Sequence, residues 1–180
     1  NHIFLNRTVG VAIIDKQTCI DYGVTGPMLR AAGVKRDLRK DMPYSSYEDF
    51  DFEVPVGPFE HGVVGDSWTR YRARVYEMAE SCKIIRQAVE GLPEGDIVHP
   101  KVTRGWKAPP GEAYVGSEAP RGEVSCYFVS DGGRNPYRVK YRGPSFFNLA
   151  VTTATCRGLL IGDLIALIGS IDFTLGEVDR

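Results

Sequence analysis

Between positions 67 and 90 the chain reads SWTRYRARVYEMAESCKIIRQAVE. Trp68, Tyr71, Val75, Met78, Cys82, Ile85 and Val89 recur at alternating spacings of three and four, which aligns them as one stripe of an α-helix. Asp66 and Ser67 offer side-chain oxygens for an N-cap, and Gly91 with Pro93 supplies the stop. The opposite face carries Arg70, Arg74, Glu77, Glu80, Lys83, Arg86 and Glu90, with Arg86 and Glu90 spaced for an i, i+4 pair. The pattern predicts a long amphipathic helix over about 67–90, its apolar stripe turned to a core and its charged face to water.

On the C-terminal side, the period changes to two from Gly111 onward. Glu123 to Ser130 and Tyr137 to Arg142 read as strands joined by a long loop, Asp131 to Pro136, giving an antiparallel hairpin over about 122–142. In the second strand Tyr137, Val139 and Tyr141 alternate with Arg138, Lys140 and Arg142, as expected of a half-buried strand whose other face meets water or a partner. Ile161, Leu164, Ile165 and Ile168 then fall at helical spacing, predicting a C-terminal helix over about 157–168 that stops near Gly169. On the N-terminal side, Val9 to Ile14 (VGVAII) suits a short buried strand, and Asp15 to Tyr22 a short helix ending at Gly23. Tyr44, Tyr47, Phe50 and Phe52 make the following segment too aromatic for a free linker, so these rings should be packed. Glu94 to Pro110 reads as an irregular connection. The class is α+β, organised as a single region over 1–180.

Composition narrows the function classes. The 180 residues are 43% hydrophobic and 25% charged, which excludes a disordered chain. Lys+Arg 22 against Asp+Glu 23 leaves a net charge of −1 and no drive toward nucleic acid, so the basic row on the second strand is not read as a nucleic-acid stripe. The most apolar run, Leu159 to Ile171, contains Asp163 and is shorter than the ~20 residues that span a bilayer. Cys19, Cys82, Cys126 and Cys156 form no C-x-x-C pair, and His2, His61 and His99 include no i, i+4 pair, so no metal site of the usual spacing is written in the chain. Two disulfides remain arithmetically possible, while reduced and mostly buried thiols are the simpler expectation at this chain length. No G-x-S-x-G, G-x-G-x-x-G or G-x-x-x-x-G-K-[ST] is present, which removes the motifs of hydrolases, dinucleotide folds and P-loops. Acids gather near the end, at Asp172, Glu177 and Asp179. The first residue, Asn1, is not Met, as expected of a processed, truncated or excised segment.

Several blocks carry a specific resemblance. They are Gly116-Ser117-Glu118-Ala119-Pro120-Arg121-Gly122-Glu123, Val129 to Gly133, Pro136-Tyr137-Arg138-Val139-Lys140, Gly143 to Leu149, and Ile168-Gly169-Ser170-Ile171-Asp172 through Gly176-Glu177-Val178-Asp179-Arg180. Thr25 to Arg30, Asp37 to Lys40, Phe52 to Gly57, and Gly65-Asp66 leading to Arg70-Tyr71 and Arg74 agree with them. In this order the chain closely resembles the D-subunit family of NADH-quinone oxidoreductase, the hydrogenase-like component of respiratory complex I. The resemblance implies a hydrogenase large-subunit-like α+β fold, of which this is the C-terminal half, with the family's N-terminal half absent.

That family is homologous to the large subunit of nickel–iron hydrogenases, whose C-terminal motif is D-P-C-x-x-C-x-x-H. On this tail Asp172 keeps the aspartate, Thr174 and Glu177 stand at the metal-binding cysteines, and Arg180 stands at the histidine. Nickel and low-spin iron need soft thiolates, which Thr and Glu do not provide, so a metal-bearing hydrogenase is disfavoured. The resemblance implies instead that Asp172 and Thr174 line a quinone cavity, with Arg121 near the same pocket. It further implies no cofactor on this chain, quinone as substrate, and electrons from an iron–sulfur cluster in a partner. The implied partners are the iron–sulfur subunit of the quinone module, the membrane-arm subunit at the quinone entrance and peripheral-arm subunits. The implied location is the cytoplasmic side of the inner membrane, or the matrix side in a mitochondrion. A plainer alternative has Asp172 capping a turn, Thr174 filling space, and Arg121 pairing with Glu118 or Glu123; a non-catalytic scaffold, or a related hydrogenase-like complex with another electron donor, is the corresponding functional alternative. The chain departs from many relatives at Arg36, where a tryptophan is common, at Thr69, where an aspartate is common, and at Phe173, where a proline is common. The connection around Lys101 to Pro110 is also short compared with relatives that carry an additional helical segment there.

Overall fold

The computed structural model describes residues 1–98 and 107–179, so His99, most of the 101–110 connection and Arg180 lie outside the described residues. Short helices open the chain: α1 (His2–Asn6), α2 (Lys16–Asp21), α3 (Pro27–Ala31) and α4 (Leu38–Asp41). The long helix α5 runs Ser67–Glu90, the bounds that its local sequence predicts. Asp66 is its N-cap: one carboxylate oxygen accepts from the Thr69 amide at 2.6 Å, and the other accepts from Gly10 and Val63 at 2.9 Å. A single buried carboxylate thereby satisfies a free helix donor and ties two loops to the helix start.

An antiparallel sheet follows, β1 (Gly111–Ala119), β2 (Gly122–Ser130) and β3 (Arg138–Arg142), in the order β1-β2-β3. The hairpin over 122–142 is present as β2 and β3, and β1 adds a strand in register Ala119↔Gly122 to Gly111↔Ser130. The chain ends in α6 (Pro144–Ala150), α7 (Thr152–Thr155), α8 (Ile161–Ile171) and α9 (Leu175–Asp179). The fold is α+β. Its core joins Ile14, Cys19, Val24, Met28 and Leu29 from the first third to Val151, Leu167 and Ile171 from the end. Each fully buried aliphatic side chain of this kind contributes about 1.5–3 kcal/mol.

Four local expectations are corrected. Val9 to Ile14 is not a strand: Gly10 and Ala12 take positive φ of 69° and 52°, and the segment instead exchanges hydrogen bonds with Gly65 and Ser67 at the start of α5. The C-terminal helix begins at Ile161 rather than 157, because Gly158 turns with φ +80° and Leu160 is extended, and it continues through Gly169 to Ile171. Strand β3 is an exposed edge on both faces, with Val139 and Tyr141 open to solvent as well as Arg138 and Lys140. Of the cysteines Cys19 is buried and Cys82 exposed, with the other two half-buried, so the thiols are not mostly buried.

The largest correction concerns α5, whose first two turns present to the core the face expected in water, while Lys83, Arg86 and Glu90 further along it are exposed. Ser67, Thr69, Arg70 and Ala73 are buried, while Tyr71, Met78, Ile85 and Val89 are exposed. Arg70, only 1% exposed, donates to the carbonyls of Gly65 and Ala12 and to the hydroxyls of Ser67 and Ser170. Burying a guanidinium is tolerable only with such a full set of acceptors, and these come from three separate segments. Burial pulls the pKa of the Arg70 guanidinium down to about 9, helped by its neighbour Arg74 and opposed by Asp66.

Candidate functional site

The tail, the β1–β2 turn and the middle of α5 converge on Asp172. This residue caps α8 in the left-handed region, φ 56° and ψ 53°, a conformation that costs a non-glycine residue about 1 kcal/mol. Two arginines hold it there. Arg121 Nε donates to the Asp172 carbonyl at 2.6 Å, and Arg121 Nη2 donates to Oδ1 at 3.3 Å. Arg74 Nη1 donates to Ser170 O at 2.7 Å and Nη2 to Ile171 O at 2.8 Å, with its Nε 3.6 Å from Asp172 Oδ2. The last carbonyls of α8 therefore receive guanidinium donors at the negative end of the helix.

Arg121 is delivered by a turn with no slack. Gly26 and Gly122 cross so closely that a Cβ on Gly26 would lie 2.5 Å from Gly122 Cα, and one on Gly122 would lie 2.4 Å from Thr25 Oγ1. Only glycine permits this approach, and both residues hold positive φ. Asn148 then donates to Arg121 O at 3.0 Å, and the Glu123 amide donates to Thr25 Oγ1 at 3.0 Å. The backbone of Arg121 is pinned from both sides.

Beside this cluster lies a cleft of about 470 Å³. Asp172, Arg74, Arg30, Glu77 and Glu118 line it with charged groups, and Tyr47, Met78 and Pro120 with apolar surface. Arg30 donates to Glu77 at 2.7 Å, to Glu118 at 2.8 Å and to Arg36 O at 2.8 Å, and lies 3.6 Å from Asp37. Asp37 in turn accepts from Arg39 at 2.9 and 2.6 Å. Burial pulls Arg30 down, but Glu77 and Glu118 outweigh it and the net direction is up. Burial holds the Glu77 carboxyl above its ordinary range against the opposing pull of Arg30. Such an arrangement offers a flat ligand some apolar surface among several charged groups.

Of the residues picked from sequence, Asp172 and Arg121 are brought into contact. Asp172 lines the cleft, whereas Thr174 and Arg121 are not among its lining side chains. The Thr174 amide donates to Ser145 Oγ at 3.1 Å, and Glu177 accepts from the Ser145 amide at 3.0 Å, so this part of the tail is tied to the start of α6. Arg180 lies outside the described residues. Glu118 and Glu123 pair with Arg30 and Arg36 rather than with Arg121. Among the described residues no three His, Cys, Asp or Glu side chains are grouped to hold a metal ion. Arg74, Arg30 and Glu77 were not singled out as site residues by sequence; for Arg74 and Glu77 the charged face of α5 was the available signal, and solvated charges produce the same pattern, while Arg30 on α3 had no local signal.

Known proteins place this chain in a family. The family model described as "Respiratory-chain NADH dehydrogenase, 49 Kd subunit" matches residues 1–103 and 99–180. The D subunit of NADH-quinone oxidoreductase from Bacillus cereus (strain ATCC 10987 / NRS 248) is 49% identical over 179 residues, covering 99% of this chain and 48% of the relative. The D 2 subunit of NADH-quinone oxidoreductase from Solibacter usitatus (strain Ellin6076) is 51% identical over 180 residues, covering 100% of this chain and 47% of the relative. The chain thus spans about half the length of the curated relatives it matches. Matched from end to end, it belongs to the family of the 49 kDa subunit of respiratory-chain NADH dehydrogenase.

Proposed function

We propose that this chain forms one wall of the quinone-reduction site of an NADH-quinone oxidoreductase. The observation that carries the reading is the clamp of Arg121 and Arg74 on Asp172 at the edge of the cleft. Reduction of a quinone to a quinol takes two electrons and two protons. In this reading the electrons come from an iron–sulfur cluster of a partner subunit, and this chain binds, orients and polarises the headgroup. Met78, Pro120 and the Tyr47 ring offer apolar surface to the quinone ring. The positive charge of Arg74, which lines the cleft, favours the negative charge that develops on the quinone oxygens, and Asp172 is held between the guanidiniums of Arg74 and Arg121. Quinol formation is coupled to proton translocation by other subunits, which also hold the complex at its membrane. Among the described residues no helix is long and apolar enough to cross a membrane.

The test is Asp172→Ala and Asp172→Asn in the assembled complex. NADH oxidation with quinone should fall about tenfold or more, while NADH oxidation with ferricyanide stays unchanged. Unchanged quinone reduction and unchanged inhibitor sensitivity in a normally assembled complex would reject the role of Asp172.

A further inference from the structure

Four acids stand in and behind the cleft, and in three of them both carboxylate oxygens face a donor. Asp37 accepts from the Arg39 amide and Nε on Oδ1, and from Arg39 Nη2 on Oδ2. Glu118 accepts from Arg30 on Oε1 at 2.8 Å and from the Leu38 amide on Oε2 at 3.2 Å. Asp172 turns Oδ1 to Arg121 at 3.3 Å and Oδ2 to Arg74 at 3.6 Å. Glu77 differs. Its Oε1 accepts from Arg30 Nε at 2.7 Å, and its Oε2 accepts no hydrogen bond among the described residues. This side chain lines the cleft and is 14% exposed, and Met78, next in sequence, lines the same cleft with apolar surface.

We propose that Glu77 is a proton donor to the quinone, an inference that rests on reading the cleft as a quinone-reduction site. In the step, two electrons pass one at a time from the partner's iron–sulfur cluster into the quinone. The O–H bond of the Glu77 carboxyl breaks, its proton forms one O–H bond of the quinol, and the carboxylate that remains faces Arg30. The second proton, and the one that restores the carboxyl, come from water. Arg30 from α3, Asp37 and Arg39 at the start of α4, and Glu118 from β1 surround Glu77. Across the cleft stand the Tyr47 hydroxyl, Arg74 of the same helix, and Asp172 with its partner Arg121. The four arginines and the four acids match one for one, so the cluster is neutral when all are ionised and cationic when Glu77 holds a proton. A cationic cluster favours negative charge on the quinone oxygens, and transfer of the proton restores neutrality. Burial already holds this carboxyl above its ordinary range, whereas Asp37 is held below. That moves Glu77 toward the range in which a general acid is effective.

The test is Glu77→Gln and Glu77→Asp in the assembled complex, with quinone reduction followed against pH and ferricyanide reduction, which bypasses the quinone, as the measure of assembly. A general acid makes the rate fall as pH rises through its pKa. Glu77→Gln keeps an oxygen for Arg30 but has no proton to give; kcat should fall about tenfold or more, KM should change little, and that limb of the profile should vanish. Glu77→Asp keeps a carboxyl, whose ordinary pKa is lower, so the limb should move to lower pH. This variant decides the matter where Glu77→Gln does not assemble. A limb that stays at its wild-type position in either variant overturns the proposal, as does an unchanged kcat in Glu77→Gln. Such results alongside Asp172 variants that still impair quinone reduction reject the role of Glu77 alone; Asp172 variants without effect reject the cleft as a quinone site, and this step with it.

Discussion

Arg121 and Asp172, 51 positions apart, are joined through both main chain and side chain: Arg121 Nε reaches the Asp172 carbonyl at 2.6 Å while Nη2 reaches Oδ1 at 3.3 Å. The contact links the β1–β2 turn to the end of α8 and holds a non-glycine residue in the left-handed region. Replacing Arg121 by Ala should therefore release the tail more than the sheet. We expect a stability loss of about 1–3 kcal/mol and faster amide exchange over residues 172–179, with β2 little changed. Hydrogen exchange measures both.

Arg30 is buried among Glu77, Glu118 and Asp37, and removal of one acid leaves its charge poorly compensated. Glu118→Ala should lower stability by about 3 kcal/mol, read from the denaturant midpoint. Glu60→Ala, at an exposed pair with Arg72, should leave the midpoint nearly unmoved. Equal effects would mean that the Arg30 cluster is no more important than a surface pair.

Asp37 sets an acid limit. Burial pushes its carboxyl up, but hydrogen bonds from Arg39 and the charge of Arg30 outweigh burial and hold it below its ordinary value of 3.8. A depressed carboxyl contributes stability that is complete above the unfolded value and is lost as pH falls through the folded one. Unfolding free energy should thus drop as pH falls below about 4, and Asp37→Asn should flatten that part of the curve. Urea titrations at a series of pH values between about 7 and about 3 provide the check.

Cys19 is sealed in the core, and burial pushes its thiol up to about 11. Since the thiolate is the reactive form, Cys19 should resist maleimide near neutral pH and react only once the subunit unfolds. Peptide mapping after brief labelling distinguishes it from the other thiols.

The turn that carries Arg121 depends on two glycines meeting without side chains. Gly122→Ala would drive a Cβ into Thr25, and Gly26→Ala would drive one into Gly122. Each should cost about 2 kcal/mol or more, because φ is positive and the obstructing atoms include backbone. Thermal melting of either variant, compared with Gly176→Ala at an open position with no positive φ, provides the measurement.

Elements with local causes were legible without coordinates. The bounds of α5 follow from Asp66 and Gly91, and the β2–β3 hairpin follows from strand alternation broken at Asp131 to Pro136. Asp172 and Arg121 came from resemblance rather than from any local pattern, and their contact spans 51 positions. Val9 to Ile14 misled because its apolar residues suit a strand, while the positive φ values at Gly10 and Ala12 arise from contacts with the start of α5.

The orientation of α5 marks the boundary between the two kinds of information. Helical periodicity and caps specify that residues 67–90 form a helix with an apolar and a charged face, because both depend on near neighbours. Which face turns inward depends on distant groups. Arg70 can be buried because Ala12, Gly65 and Ser170 bring it acceptors, and Arg74 because Ser170, Ile171 and Asp172 do the same. Periodicity records hydrophobicity, whereas the free energy of burying a charge is set by partners that only the folded chain assembles.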